Sequence, residues 1–276
     1  MLDHLHRATV DGADIRYLRV GRGTPVVLLH TLRTQLDYFG PLLQHLDSGR
    51  VEVIAMDLPG HGESSAPPVE YTAGYFTDTV GALLEVWEVH DAVVVGESIG
   101  ASIALALAAR GDPHFAHVVA VNPYDYGRWG GIRRSSALAN VLFTAMLWPV
   151  IGLVVARTET KGILRRVLVG GLHDPTALPA ELVEKLSRCG ALPGHARAFR
   201  SLCRHWRSWI DARALYGAID LPVTLVYGDD DWSRPAERDA DAHAIPGVRT
   251  TTLTNSGHFS SLERPREIAQ LINELA

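Results

Sequence analysis

The sequence predicts an α/β domain: a mostly parallel sheet flanked by helices, with a long helical insertion late in the chain. Short apolar runs alternate with stretches of helical length. Several of these runs, such as Pro25–Leu29, are apolar throughout, as strands buried on both faces must be. The alternation then stops between Pro123 and about Tyr216, and helical, Arg-rich and apolar segments run for roughly 90 residues, well beyond an ordinary loop. Residues 1–123 and 217–276 are therefore expected to form the core, and residues 124–216 a helical lid.

Each element follows from local chemistry. Arg7–Val10 and Asp14–Val20 read as antiparallel edge strands turned at Asp11-Gly12. Pro25–Leu29 is a buried strand, followed by a helix over Gln35–Leu46 and a strand at Val51–Met56. Asp57–Gly62 is dense in turn formers. A helix over Tyr71–Val89 leads into the strand Ala92–Gly96 and the helix Ile99–Arg110, which Gly111 and Pro113 stop. His117–Val121 is the next buried strand. After the insertion come the strand Val223–Tyr227, a helix near Ala236–His243, the strand Val248–Leu253 and a final helix Arg266–Leu275 behind Pro265.

Composition excludes several classes. The 276 residues are 47% hydrophobic and 21% charged, which is ordinary globular usage and not that of a disordered or collagen-like chain. With 26 basic and 31 acidic residues the formal charge is -5, and no basic run marks a nucleic-acid footprint. Cys189 and Cys203 are too few for a disulfide framework and lack metal-like spacing, so reduced thiols in a cytoplasmic protein are expected. The N-terminus has no apolar core of signal-peptide length. Ala137–Ala156 carries no charge, but Asn140, Thr144, Pro149 and Gly152 interrupt it, so it reads as lid helices and not as a membrane span. His114 and His117 lack a third metal ligand nearby. Gly21-Arg22-Gly23 precedes a strand, not the helix a phosphate loop requires. Trp206 and Trp209 read as core. Neither metal nor organic cofactor is expected.

The chemistry concentrates in Gly96-Glu97-Ser98-Ile99-Gly100, a G-x-S-x-G between a buried strand and a helix. A serine at such a turn sits on strained backbone with its hydroxyl projecting from the sheet edge, and the glycines avoid collisions two residues either side. Serine is a poor nucleophile at neutral pH and needs a base, which in turn needs an orienting acid. For this elbow the chain order is Ser, then Asp or Glu, then His. Gly228-Asp229-Asp230-Asp231 follows one late strand and Asn255-Ser256-Gly257-His258 the other, both at the sheet edge where open α/β folds bind ligands.

With these motifs the sequence resembles the α/β-hydrolase fold superfamily. Met56-Asp57-Leu58-Pro59-Gly60-His61-Gly62-Glu63-Ser64 resembles its D-x-P-G-x-G-x-S turn. The Gly228–Asp231 segment with Pro235 resembles its G-[DE]-x-D-x-x-x-P, and Gly257-His258-Phe259 with Glu263 and Pro265 its terminal G-H-x-x-x-x-E-x-P. The resemblance implies an eight-stranded sheet and assigns the acid to Asp231, with Asp125 as the alternative position. It implies oxyanion donors in the backbone N–H groups of Leu32 and Ile99. Its usual His-Gly is His30-Thr31 here, a departure expected to alter the loop. His30, Thr31, Arg33 and Glu97 are the expected substrate contacts. Ser98 sets the chain apart from relatives with an Asp nucleophile. The implied function is a serine hydrolase cleaving an ester or related acyl bond of a small, largely apolar molecule by a Ser98–Asp231–His258 triad. The same triad also serves C–C hydrolases, lyases and cofactor-free perhydrolases in relatives, and a non-catalytic receptor on this scaffold is the alternative from another class.

Overall fold

The computed structural model describes residues 4–127 and 130–276. Among them, eight strands form one sheet: β1 (Leu5–Val10), β2 (Ala13–Gly21), β3 (Thr24–Leu29), β4 (Val51–Met56), β5 (Ala92–Glu97), β6 (Phe115–Val121), β7 (Val223–Gly228) and β8 (Arg249–Leu253). Their spatial order is β1-β2-β4-β3-β5-β6-β7-β8. Only β1 with β2 and β2 with β4 pair antiparallel; from β4 to β8 every pairing is parallel. Asp11 and Gly12, both at positive φ, make the expected turn between β1 and β2.

The apolar runs are buried on both faces, as their composition requires. Val27 and Leu29 point into one cluster with Phe76, Val80 and Leu107; Val26 and Leu28 point into the other with Leu42, Ile268 and Ile272. The first cluster is covered by α2 (Ala73–Val86) and α3 (Ile99–Ala109), the second by α1 (Gly40–Leu43) and α12 (Pro265–Leu275). The helix expected over Gln35–Leu46 is shorter: Leu36–Phe39 is a 3-10 turn and only α1 is α-helical. Tertiary bonding overrides propensity there, because the Leu36 N–H is held by the Asp57 carboxylate at 2.8 Å.

Between β6 and β7 the chain is helical: α4 (Ala137–Met146), α5 (Gly152–Arg157), α6 (Lys161–Val169), α7 (Ala180–Gly190), α8 (His195–Arg204) and α9 (Trp206–Arg213). The uncharged stretch 137–156 thus breaks into α4 and α5 at Pro149, and among the described residues no helix is long and apolar enough to cross a membrane. Trp209 is buried in the first cluster. The core resumes with α10 (Pro235–Ala244), and α11 (Ser260–Glu263) precedes α12.

Candidate active site

Ser98 stands between β5 and α3 at φ 59°, ψ −116°, a conformation that L-residues adopt only under constraint. The constraint is close packing. A Cβ on Gly96 would lie 2.2 Å from the Gly100 carbonyl oxygen, and one on Gly100 would lie 2.1 Å from that of Leu29. Strand and helix therefore approach at a separation only glycine permits, and the turn between them stays sharp.

The Ser98 hydroxyl meets His258 Nε2 at 2.9 Å, and His258 Nδ1 meets Asp231 Oδ1 at 2.5 Å. The second Asp231 oxygen accepts the backbone N–H of Ser233 at 2.8 Å and its hydroxyl as well. Burial alone would raise the Asp231 carboxyl, but the His258 ring and the Ser233 donors hold it below the ordinary carboxylate range. It therefore stays ionised at neutral pH, acceptor-only, and directs the His258 Nδ1 proton toward itself. Its neighbours go elsewhere. Asp229 accepts from the backbone of Asn255 and Ser256, and Asp230 contacts His173. Asp125, the alternative acid, is bound by the Tyr216 hydroxyl at 3.0 Å.

Two backbone donors face no acceptor. The N–H groups of Leu32 and Ile99 have no hydrogen-bond partner among the described residues. In this loop the left-handed residue is Arg33 (φ 64°), not Thr31. The loop is braced from beneath: Asp57 accepts Arg16 Nε at 2.7 Å and the Glu63 N–H at 2.8 Å besides Leu36.

Two of the expected substrate contacts face inward. Leu58 N–H donates to His30 Nε2 at 3.0 Å, so the ring proton sits on Nδ1 and bonds the Thr31 carbonyl at 2.8 Å. Both ring nitrogens are thereby used internally, and burial lowers His30 to about 4, keeping it neutral. Glu97 turns to Ser261, beside Tyr38, and burial raises it to about 7 despite those neighbours. Thr31 is buried in the loop. Arg33 reaches the insertion, where it pairs with Glu159 and lies over the Phe199 ring at 5.5 Å. There it lines a cavity of about 540 Å³, open mouth included, whose walls are Phe143, Met146, Val155, Val167 and Phe199. His114 and His117 diverge, the first to Asp112 and Glu85, the second to Thr224.

Sequence reasoning missed two residues. Trp232 stacks on His258, ring centroids 4.0 Å apart and planes within 15°, with its Nε1–H on the Gly170 carbonyl at 3.2 Å. Its place directly after Asp231 was the available signal. Asn122, at positive φ where β6 ends, donates to the Gly257 and His258 carbonyls and to Ser260 Oγ, and its own carbonyl accepts Gly228 N–H at 2.9 Å.

Comparison with known proteins places the chain in a family. The family model described as the alpha/beta hydrolase family matches residues 26–271. The chain belongs to the alpha/beta hydrolase family. It is a hydrolase. It is 26% identical over 273 residues to the uncharacterized hydrolase YugF of Bacillus subtilis (strain 168), covering 97% of this chain and 96% of that one. It is 27% identical over 265 residues to a pimeloyl-[acyl-carrier protein] methyl ester esterase of Neisseria meningitidis, with 90% and 75% covered. The crystal structure of the enol-lactonase from Burkholderia xenovorans LB400 superposes with a TM-score of 0.75 at 24% identity over 98% of this chain and 99% of that one, a likeness of fold.

Proposed function

We propose that this alpha/beta hydrolase is a serine hydrolase cleaving an ester or related acyl bond of a small, largely apolar molecule. The observation that carries the reading is the unbroken Ser98–His258–Asp231 hydrogen-bond chain at a strained strand-to-helix turn. In this mechanism Ser98 Oγ attacks the acyl carbon while His258 Nε2 takes its proton, and the charge on the carbonyl oxygen falls to the Leu32 and Ile99 N–H groups. Collapse breaks the bond to the leaving alcohol, which receives the proton from His258 and departs from the acyl-enzyme. Water then repeats the sequence and releases the acid. Asp231 holds the imidazole in the required tautomer and stabilises its charged form. Trp232 is a positioning residue against the ring.

The apolar cavity under α4, α5 and α6 is lined by Arg33, next to Leu32, though not by Ser98 or His258, and supports an apolar acyl or alcohol group; the insertion acts as a lid over the buried Ser98 and His258. The esterase among the relatives favours an ester substrate. Two unpaired cysteines favour the cytoplasm.

The test is intact-mass analysis after reaction with a fluorophosphonate. One adduct is expected on the wild type and none on Ser98→Ala, which should remain folded and lose at least about a thousand-fold in kcat. A folded wild type that takes no adduct would overturn the reading in favour of a receptor.

A further inference from the structure

The insertion differs from the rest of the chain in charge and in what it exposes. Residues 124–216 hold 14 Lys and Arg against 6 Asp and Glu, a formal +8; the remainder holds 12 against 25, a formal −13. On the same insertion, Val141, Trp148, Val150, Ile151 and Val154 are exposed, Val150 at 88% and Trp148 at 59%. These residues belong to α4, α5 and the turn between them, so they form one projecting tip. Large apolar side chains grouped in this way on the surface mark a contact site.

Arginine predominates around the tip, with Glu70 on His205 at 2.7 Å and Asp211 on α9 as acidic neighbours. α8 packs against α5, and Arg200 on α8 donates to the Met146 and Trp148 carbonyls at 3.1 and 3.0 Å, which seats its guanidinium at the base of the tip. Arg157 ends α5, Arg204 ends α8, and Arg207 lies at the start of α9, all three exposed. Segments 137–158 and 195–210 together carry five arginines and no acidic residue. Glu159, just beyond, is paired with Arg33.

We propose that the α4–α5 tip docks this protein on an anionic lipid surface. Trp148, Val150 and Ile151 enter the interfacial layer, and Arg157, Arg200, Arg204 and Arg207 meet lipid phosphates. Apolar side chains including a tryptophan, ringed by cations, are the chemistry that binds such a surface without spanning it. The inner faces of the same helices line the apolar cavity through Leu142, Phe143, Met146 and Val155, so docking sets the cavity against the source of an apolar substrate. The net negative core then points to the aqueous side.

Vesicle sedimentation tests this without turnover, so its outcome is separable from that of the Ser98 reading. The full chain is mixed with vesicles of phosphatidylcholine, or of phosphatidylcholine with about 30 mol % phosphatidylglycerol. Binding is expected to the second, to weaken with added salt, and to fall about ten-fold in the double variant Val150→Glu, Ile151→Glu. Both positions are exposed, so the variant is expected to keep the wild-type circular dichroism and fluorophosphonate reactivity. Equal binding to both vesicle types, absence of binding, or binding unchanged in the variant overturns the proposal. So does light scattering that shows a dimer which the variant dissociates, because the tip then belongs to a second copy of the chain.

Discussion

Around Ser98 the chemistry is decided by side chains on either side of β5. Glu97, the residue before it, points the opposite way, with one carboxyl oxygen unpartnered. Burial raises this group from 4.5 to about 7, only partly offset by Ser261 and Tyr38. Between those values the folded chain keeps a proton the unfolded chain has lost, so stability falls as pH rises from about 4.5 through about 7. Glu97→Gln removes that loss. Denaturant midpoints are expected to diverge in the variant's favour as pH rises from 5 to 8, reaching about 2–3 kcal/mol; a constant difference would contradict the assignment. Trp232 acts at the same scale. A flat ring stacked against His258 at 4.0 Å restrains its orientation toward Ser98 and Asp231. Trp232→Ala is expected to lower kcat about ten-fold with little change in KM, and Trp232→Phe to recover most of it. Comparable kcat in wild type and Trp232→Ala would leave the stack a packing feature only.

Among elements, the ends of β5, β6 and β7 and the loop before α11 must meet for Ser98, Asp231 and His258 to touch. Asn122 ties three of these together through a single amide. Asn122→Ala leaves the buried Gly228 N–H and the His258 carbonyl without that partner. It is expected to cost about 2–4 kcal/mol by chemical denaturation and to slow fluorophosphonate labelling of Ser98 in the molecules that remain folded. Labelling at the wild-type rate would show that the loop holds its place without it. The strands themselves were legible in sequence because an all-apolar run of five or six residues has few other solutions. The segment after β3 was not. Its helical pattern yields to Asp57, which captures the Leu36 N–H from 21 residues away.

Across the whole molecule, the Arg33–Glu159 pair joins the insertion to the core loop after β3. Both side chains are mostly sheltered, so the pair contributes more than an exposed one and its loss costs about 1 kcal/mol. Glu159→Gln is expected to raise the labelling rate of Ser98 by bulky fluorophosphonates several-fold with little loss of thermal stability. A rate equal to wild type would mean that other contacts hold the insertion shut. What the sequence by itself determined is local: the glycine-flanked serine, the carboxylate cluster and the histidine each announce themselves within a few residues, and their order along the chain assigns them to one sheet edge. Asp231 among three adjacent aspartates was singled out by the resemblance, but that Trp232 stacks on His258 and that His30 and Glu97 turn inward were decided only by tertiary structure. Those outcomes depend on partners brought together from distant parts of the chain, and no local pattern encodes the hydrogen bonds that a fold makes available.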